Sequence, residues 1–264
     1  MKVAIGIGSA YYNGDDWNEL VDYTVAADTM GVDYVWSAEA WGMDAVVPLA
    51  YLAAKTQHIK LGTGIMQISS RVPPMIAMTA QSLRTVSNNR FVLGLGVSGP
   101  QVVEGLHGAS FAKPLSRLRE CVDIIKLGLA SERIAYEGKH YVLPRPGGEG
   151  KPIRLSQPPQ ADLPIYLATL GPKAMEMTGE LANGWLAAKY AVDILRFLKP
   201  ANGWKPKIKQ PVFTNQCRIM AANMNWPRFI ICGDFGANLV KINNAACISR
   251  IDNNFHTNTA PGQT

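Results

Sequence analysis

The sequence is poor in cysteine, has no long hydrophobic run and carries few acidic residues after position 200. Its four cysteines, at positions 121, 217, 232 and 247, include no Cys-x-x-Cys pair and have no histidine at the spacing of a zinc site. We therefore expect free thiols and no bound metal. No apolar run approaches the ~20 residues that a membrane-spanning helix needs, so we expect no membrane association.

Several widespread catalytic motifs are also missing. No Gly-x-Gly-x-x-Gly follows the first predicted strand, which argues against a Rossmann dinucleotide site. No P-loop, nucleophile elbow or His-Glu-x-x-His motif is present. The chain therefore carries no signature of a nucleotide hydrolase, an α/β-hydrolase or a zincin-type protease.

The scarcity of acids divides the chain in two. Residues 1–200 hold 19 Lys and Arg against 18 Asp and Glu, whereas residues 201–264 hold seven Lys and Arg against only Asp234 and Asp252. The second segment also contains ten of the fifteen asparagines. Because the basic excess lies there, the net charge of +6 does not indicate a nucleic-acid partner for the core. We predict a folded core at 1–200 that holds the ligand site, and at 201–264 an atypical basic, Asn-rich tail, altered or partly disordered, that does not complete the fold of the core normally.

Short apolar segments alternate with helical ones along the core. Strands are predicted at residues 3–8, 33–37, 59–65, 91–97, 165–168 and 184–188, and helices at 17–30, 46–56, 73–85, 114–129 and 173–182. A hairpin is expected within 134–143, and strands are expected at 211–220 and 228–234. This α/β pattern predicts a parallel sheet with right-handed crossovers, and its spacing matches a TIM (β/α)8-type barrel. A doubly wound open sheet is the alternative. The N-terminus reads as a strand and not as a signal peptide, so we expect a cytoplasmic protein.

Small and polar residues stand at the carboxyl ends of these strands, where parallel α/β folds bind ligands. Glycines inside the fourth strand, Gly94 and Gly96, suggest that another body approaches the backbone closely. The resulting candidates for ligand binding are Gly8, Gly64, Ile65, Gly96, Ser98, Gly99, Gln101, Thr169, Leu170, Gly171 and Pro172.

The residues alone leave most of these roles open. Leu170 and Gly171 could offer backbone N–H groups to a phosphate at a helix N-terminus, or simply start a helix. Glu39 is either an acid/base group or a loop carboxylate, and Arg71 either meets an anion or solvates its loop. His107 is interpreted as a structural or surface residue.

Four segments resemble the luciferase-like monooxygenase family, in order and spacing, over about residues 1–190. They are Trp36-Ser37-Ala38-Glu39, Leu61-Gly62-Thr63-Gly64-Ile65, residues 90–98, and Ala182-Asn183-Gly184-Trp185. Residues 97–105 and 111–115 further resemble the actinobacterial deazaflavin-dependent oxidoreductases, which use coenzyme F-420.

The resemblance implies a TIM barrel with the cofactor at its C-terminal rim. It implies a non-prolyl cis peptide at Gly64-Ile65, behind the deazaflavin ring, and a cofactor phosphate near residues 169–172. The expected activity is hydride transfer between the deazaflavin and a small organic substrate. Many family members carry Glu-His-His after the second strand. Here the segment is Glu39-Ala40-Trp41, so Glu39 and Trp41 are the catalytic candidates.

Two alternatives to this function stay open. One is an FMN-dependent monooxygenase of the same superfamily, and the other is a catalytically inactive barrel remnant. If the tail leaves a sheet edge and apolar helix faces exposed, either a second copy of the chain covers them, making a homodimer, or the monomer aggregates.

Overall fold

Strands and helices alternate along the core. The computed structural model describes residues 2–7, 14–186, 213–214, 217–220 and 229–232, all within the first of the two units, 1–234 and 235–264, into which the chain divides. The strands are β1 Lys2–Ile7, β2 Tyr34–Ser37, β3 Lys60–Thr63, β4 Met66–Gln67, β5 Phe91–Gly96, β6 Tyr136–Glu137, β7 Val142–Leu143, β8 Ile165–Ala168, β9 Gly184–Trp185, β10 Phe213–Thr214, β11 Cys217–Met220 and β12 Phe229–Cys232. The helices are α1 Gly14–Thr29, α2 Val46–Lys55, α3 Pro73–Val86, α4 Pro114–Leu129 and α5 Pro172–Leu181.

The main sheet has the order β10-β11-β12-β1-β2-β3-β5-β8-β9, with β4 beside β5. From β12 to β9 every pairing is parallel. This curled half-barrel with its helices confirms the TIM-barrel type. Strands β10 to β12 fall inside the two ranges predicted in the tail and pair antiparallel. The proposal that residues 201–264 form an altered tail stays a prediction, because most of them lie outside the described residues.

The sheet separates two apolar layers, because successive side chains of a strand point to opposite faces. On the helix side, the larger core includes Ile5, Val35, Leu61, Leu93 and Leu167. On the inner side, a smaller cluster joins Ala4, Tyr34, Trp36, Val92, Tyr166 and Leu186. The candidate site is built on the inner layer.

The structure contains local elements that the sequence pattern did not predict. Strand β4 follows β3 after a two-residue break and pairs with β5, Met66 opposite Leu95. Residues Gln101–Leu106 form a π-helical segment, where no helix or strand was predicted. Both elements are too short to leave a periodic pattern of apolar residues in the sequence, because such a pattern needs several helical turns or strand alternations. The hairpin is present, as β6 and β7.

The amino ends of the strands are held by two ionic groups, the partly buried Arg90 and the buried Asp28. The Arg90 guanidinium donates to the carbonyls of Ala53, Thr56 and Ile59 at 2.8–3.0 Å. The Asp28 carboxylate accepts N–H bonds from residues 57, 58 and 59. Burial raises the pKa of Asp28, but these three bonds outweigh it and leave the pKa below its ordinary value. This end of the half-barrel is therefore a structural anchor.

Cys121 is a buried free thiol, as predicted, and its burial raises its pKa to about 12. The other three cysteines lie outside the residues whose side chains are described. None of the described helices has the length and hydropathy to cross a lipid bilayer.

Candidate active site at the carboxyl ends of the strands

The rim is formed by the carboxyl ends of the parallel strands. There, the end of β5 lies between β4 and the end of β8. In the sheet register Gly96 is opposite Gln67 of β4 on one side and Ala168 of β8 on the other. The structure thus brings together the segments that hold Ile65, Gly96 and Thr169. Gly8 lies outside the described residues. The assignment of a cofactor to these residues stays a prediction.

The peptide bond between Gly64 and Ile65 is cis, which confirms that prediction. The Ile65 side chain then lies over Gly96, where an added Cβ would collide with the Cδ1 atom of Ile65. At Gly94 an added Cβ would collide with the main-chain oxygen of Thr63. The body that approaches both glycines in the structure is the protein itself, and the role of Gly96 in cofactor binding stays a prediction.

The Glu39 carboxylate is saturated by protein donors. It accepts from Nη1 of Arg71 at 2.8 Å to each oxygen, from Oγ of Ser70 at 3.0 Å, and from the backbone N–H groups of Ala45 and Gln67 at 3.3 Å. Only 7% of its side chain is exposed. A general acid or base must reach the reacting atom, and this carboxylate is instead turned toward the loop that begins at Gln67. The arrangement suits a positioning role.

Trp41, the other catalytic candidate, has 70% of its surface exposed. It lies in the loop between β2 and α2, on the surface. Its role at a cofactor ring stays a prediction.

A second polar link joins β4 to the segment after β5. The Gln67 side chain is almost fully buried, and its Nε2 lies 2.9 Å from Nε2 of His107. Oγ of Ser69 donates to Oε1 of Gln67 at 3.2 Å. His107 is predicted from the sequence to be a structural or surface residue. Gln67 is not among the predicted site residues, because nothing local marks a polar residue on a two-residue strand.

The β8–α5 corner is built from both backbone and side chains. Oγ1 of Thr169 lies 2.7 Å from Oγ1 of Thr178 inside the corner, and its carbonyl accepts from Nε1 of Trp185 at 3.0 Å. Gly171 has a φ of 85°, with no atom near the position of an added Cβ. No described side chain caps α5. Its first N–H groups are thus available to a ligand, and a helix N-terminus attracts anions.

The inner layer supplies an aromatic floor. The rings of Tyr34 and Trp36 are stacked, with centroids 5.7 Å apart, and Trp36 lies 5.8 Å from Tyr166. Trp36 also lies flat over Gly62, where no Cβ would fit. Nε1 of Trp36 is buried and has no hydrogen-bond partner in the described part of the chain. A buried N–H donor without a partner is costly, so a ligand acceptor here would be stabilised.

The residues present fit a flavin-type cofactor on two counts. The floor combines large apolar rings with one unpaired donor, which suits a planar heteroaromatic ring with polar edges. The uncapped start of α5 suits the phosphate of such a cofactor. A pocket of ≈ 260 Å³ lies beside the rim, lined in part by Ser70, Arg71 and Val97.

The sequence matches known proteins over most of its length. A model of the luciferase-like monooxygenase family matches residues 2–196. A Mycobacterium tuberculosis protein, whose name assigns it to the coenzyme F-420-dependent oxidoreductases, is 42% identical over 197 residues, which are 72% of this chain and 56% of that protein. A 5,10-methylenetetrahydromethanopterin reductase of Methanolobus tindarius is 31% identical over 68% of this chain and 52% of its own. The chain spans about half the length of the curated relatives it matches.

Solved structures show the same fold. The coenzyme F-420-dependent tetrahydromethanopterin reductase of Methanopyrus kandleri superposes with a TM-score of 0.61 at 22% identity, covering 70% of this chain and 55% of that one. The oxygenating constituent of 3,6-diketocamphane monooxygenase of Pseudomonas putida, in complex with FMN, gives a TM-score of 0.56 at 19% identity, over 68% and 55% of the two chains.

Proposed function

The chain belongs to the luciferase-like monooxygenase family, and on this basis we propose that it is an oxidoreductase that binds coenzyme F-420, a deazaflavin, at the rim of the half-barrel. Its reaction is hydride transfer between that cofactor and a small organic substrate. The relatives named for coenzyme F-420 support this cofactor over FMN.

The observation that carries the proposal is the uncapped start of α5 beside the carboxyl end of β8. Thr169 uses its hydroxyl inside the corner. The donors proposed for a cofactor phosphate are the backbone N–H groups of Leu170 and Gly171, which directly precede α5. Because Gly171 has open space beside it, a phosphate can approach the backbone closely.

Other residues of the chain would hold the ring and shape the site. Ile65, resting on Gly96, supplies an apolar wall, and Nε1 of Trp36 supplies a donor. The ion pair of Glu39 with Arg71 fixes the loop after β4 and removes a mobile charge from the rim. When bound, the deazaflavin supplies a carbon that accepts or gives a hydride where a flavin has a reactive nitrogen. The protein's part is orientation and exclusion of water.

FMN is the alternative cofactor, because a structural neighbour is in complex with it. Titration of the protein with reduced and oxidised coenzyme F-420 and FMN, followed by fluorescence quenching and thermal shift, separates the two. Preferential saturation by coenzyme F-420 supports the proposal, since a ligand of the native state raises its stability by mass action. Preference for FMN would change the cofactor, and binding of neither would indicate the inactive remnant.

A further inference from the structure

A second binding site is indicated by the pocket beside the rim. It lies between the loop after β4, the segment after β5 and the first turn of α4, and it has a volume of ≈ 260 Å³. The apolar part of its wall is formed mainly by Ile68, Val72, Val97, Val103 and Phe111. Neither the start of α5 nor the aromatic floor lines it. None of the residues predicted to bind the cofactor lines this pocket, although its wall residue Val97 lies between two of them, Gly96 and Ser98.

The wall of this pocket contains cationic side chains but no carboxylate. Arg71 is neutralised by Glu39. Arg117 is different: its Nε donates to the carbonyl of Ala112 at 3.0 Å, while its two Nη atoms make no hydrogen bond or ion pair with any described residue. By contrast, the nearby Arg119 is paired with Glu180 at 2.6 Å. Arg117 thus lines the cavity and has no ion-pair partner among the described residues.

Tyr141 adds a donor to the same wall. Burial and the neighbouring Cys121 raise its pKa to about 12, against the opposing effect of Arg117. The phenol is therefore protonated at neutral pH and can donate. Glu120, the carboxylate closest in sequence to Arg117, accepts hydrogen bonds from the N–H groups of residues 139–141 and forms no ion pair with Arg117. Its charge also contributes to the raised pKa of Tyr141.

We propose that this pocket binds a small organic carboxylate, with the carboxylate paired to Arg117 and Tyr141 and an apolar body against Val97, Val103 and Phe111. A guanidinium with free Nη atoms pairs with a carboxylate through two parallel hydrogen bonds. The volume is just below the roughly 300–1,000 Å³ typical of small-molecule sites, so the ligand is small. This site goes beyond the proposed function and needs no cofactor.

A ligand in the pocket would contact residues that also bind Glu39. Ser70 and Arg71 line the pocket, and both bind the Glu39 carboxylate. An occupant therefore contacts the same loop that the Glu39 ion pair holds in place.

Calorimetric titration of the full chain with 4-phenylbutyrate tests the site. The expected result is saturable binding, at least tenfold weaker for 4-phenylbutanol, which has the same body without the charge, and for acetate, which has the charge without the body. Absence of saturable binding at millimolar 4-phenylbutyrate would overturn the proposal, as would equal affinity for the acid and the alcohol.

Variants locate the binding. Arg117→Met keeps an apolar stem and should weaken 4-phenylbutyrate binding at least tenfold, while Arg119→Met, on the same helix but outside the pocket, should leave it unchanged. Equal binding by Arg117→Met and the parent chain would place the ligand elsewhere.

If Arg117→Met unfolds, Ser110→Phe provides the test, since it fills the pocket without removing charge and should abolish binding of the acid. Gly171→Glu should not affect 4-phenylbutyrate, so failure of this site and failure of the cofactor site are distinguishable.

Discussion

Nη1 of Arg71 donates to both oxygens of the Glu39 carboxylate at 2.8 Å, across 32 residues of sequence. The carboxylate is buried and the guanidinium is 20% exposed. The pair ties the loop after β2 to the loop after β4. Whether Glu39 positions that loop or exchanges a proton with a substrate leads to different experimental outcomes.

Replacement of Glu39 by Gln should destabilise the fold by about 3 kcal/mol, because it leaves a largely buried guanidinium without its counter-charge. Urea unfolding measures the loss. The control is Asp162→Asn, which breaks the pair with Arg84 where the carboxylate is 78% exposed and should cost less than about 1 kcal/mol. An E39Q protein of normal stability with a displaced pH–rate profile would instead identify Glu39 as the acid/base group.

The cofactor phosphate is tested at Gly171. Gly171→Glu should weaken coenzyme F-420 binding at least tenfold, about 1.4 kcal/mol, because a carboxylate would repel the phosphate at the start of α5. Gly179→Glu places the same charge further along α5, where nothing lies near an added Cβ, and should leave the affinity unchanged. Gly171→Ala adds a side chain at the positive φ without adding charge, so it measures the effect of backbone strain alone. Fluorescence quenching reports all three affinities, and unchanged binding by Gly171→Glu would place the phosphate elsewhere.

The two glycines of β5 should respond differently to an added methyl group. At Gly96 the obstacle is the end of the Ile65 side chain, so Gly96→Ala should cost about 1–2 kcal/mol and be relieved by Ile65→Val, which deletes Cδ1. At Gly94 the obstacle is the main-chain oxygen of Thr63, which cannot rotate away, so Gly94→Ala should cost more than Gly96→Ala. Equilibrium unfolding of the single and double variants checks the order, and equal costs would contradict it.

Asp28 makes stability depend on acid pH. Its pKa in the folded state is lowered, against the opposing effect of burial, by three N–H bonds. Its contribution is therefore present above the unfolded pKa, about 3.9, and is lost as the pH falls through the lower folded value. Asp28→Asn should be less stable than the parent chain at pH 7, and the difference should shrink below about pH 4. Asp22→Asn, at an exposed position of the same helix, serves as the control, and a gap independent of pH would contradict the assignment.

Much of this architecture can be predicted from residues close together in the chain. Apolar runs such as that of β5 and the helical pattern of α4 are local signals, since they depend on which face of a short segment is buried. The rim segments could be placed for the same reason, because they directly follow predicted strands. The cis bond at Gly64-Ile65 could be predicted only from the resemblance of its motif to a family.

The partners of these residues could not be predicted in this way. The ion pair that Glu39 makes with Arg71 and the contact of Ile65 with Gly96 became visible only in the folded structure. The wall of the pocket around Arg117 is formed by segments that are far apart in the chain.

The sequence by itself determined the order of strands and helices and the residue types at their ends, because burial and backbone preference act over a few residues. Only the tertiary structure decided which charges are neutralised and which donors remain free, because those depend on contacts between segments that the chain connects only through the folded sheet.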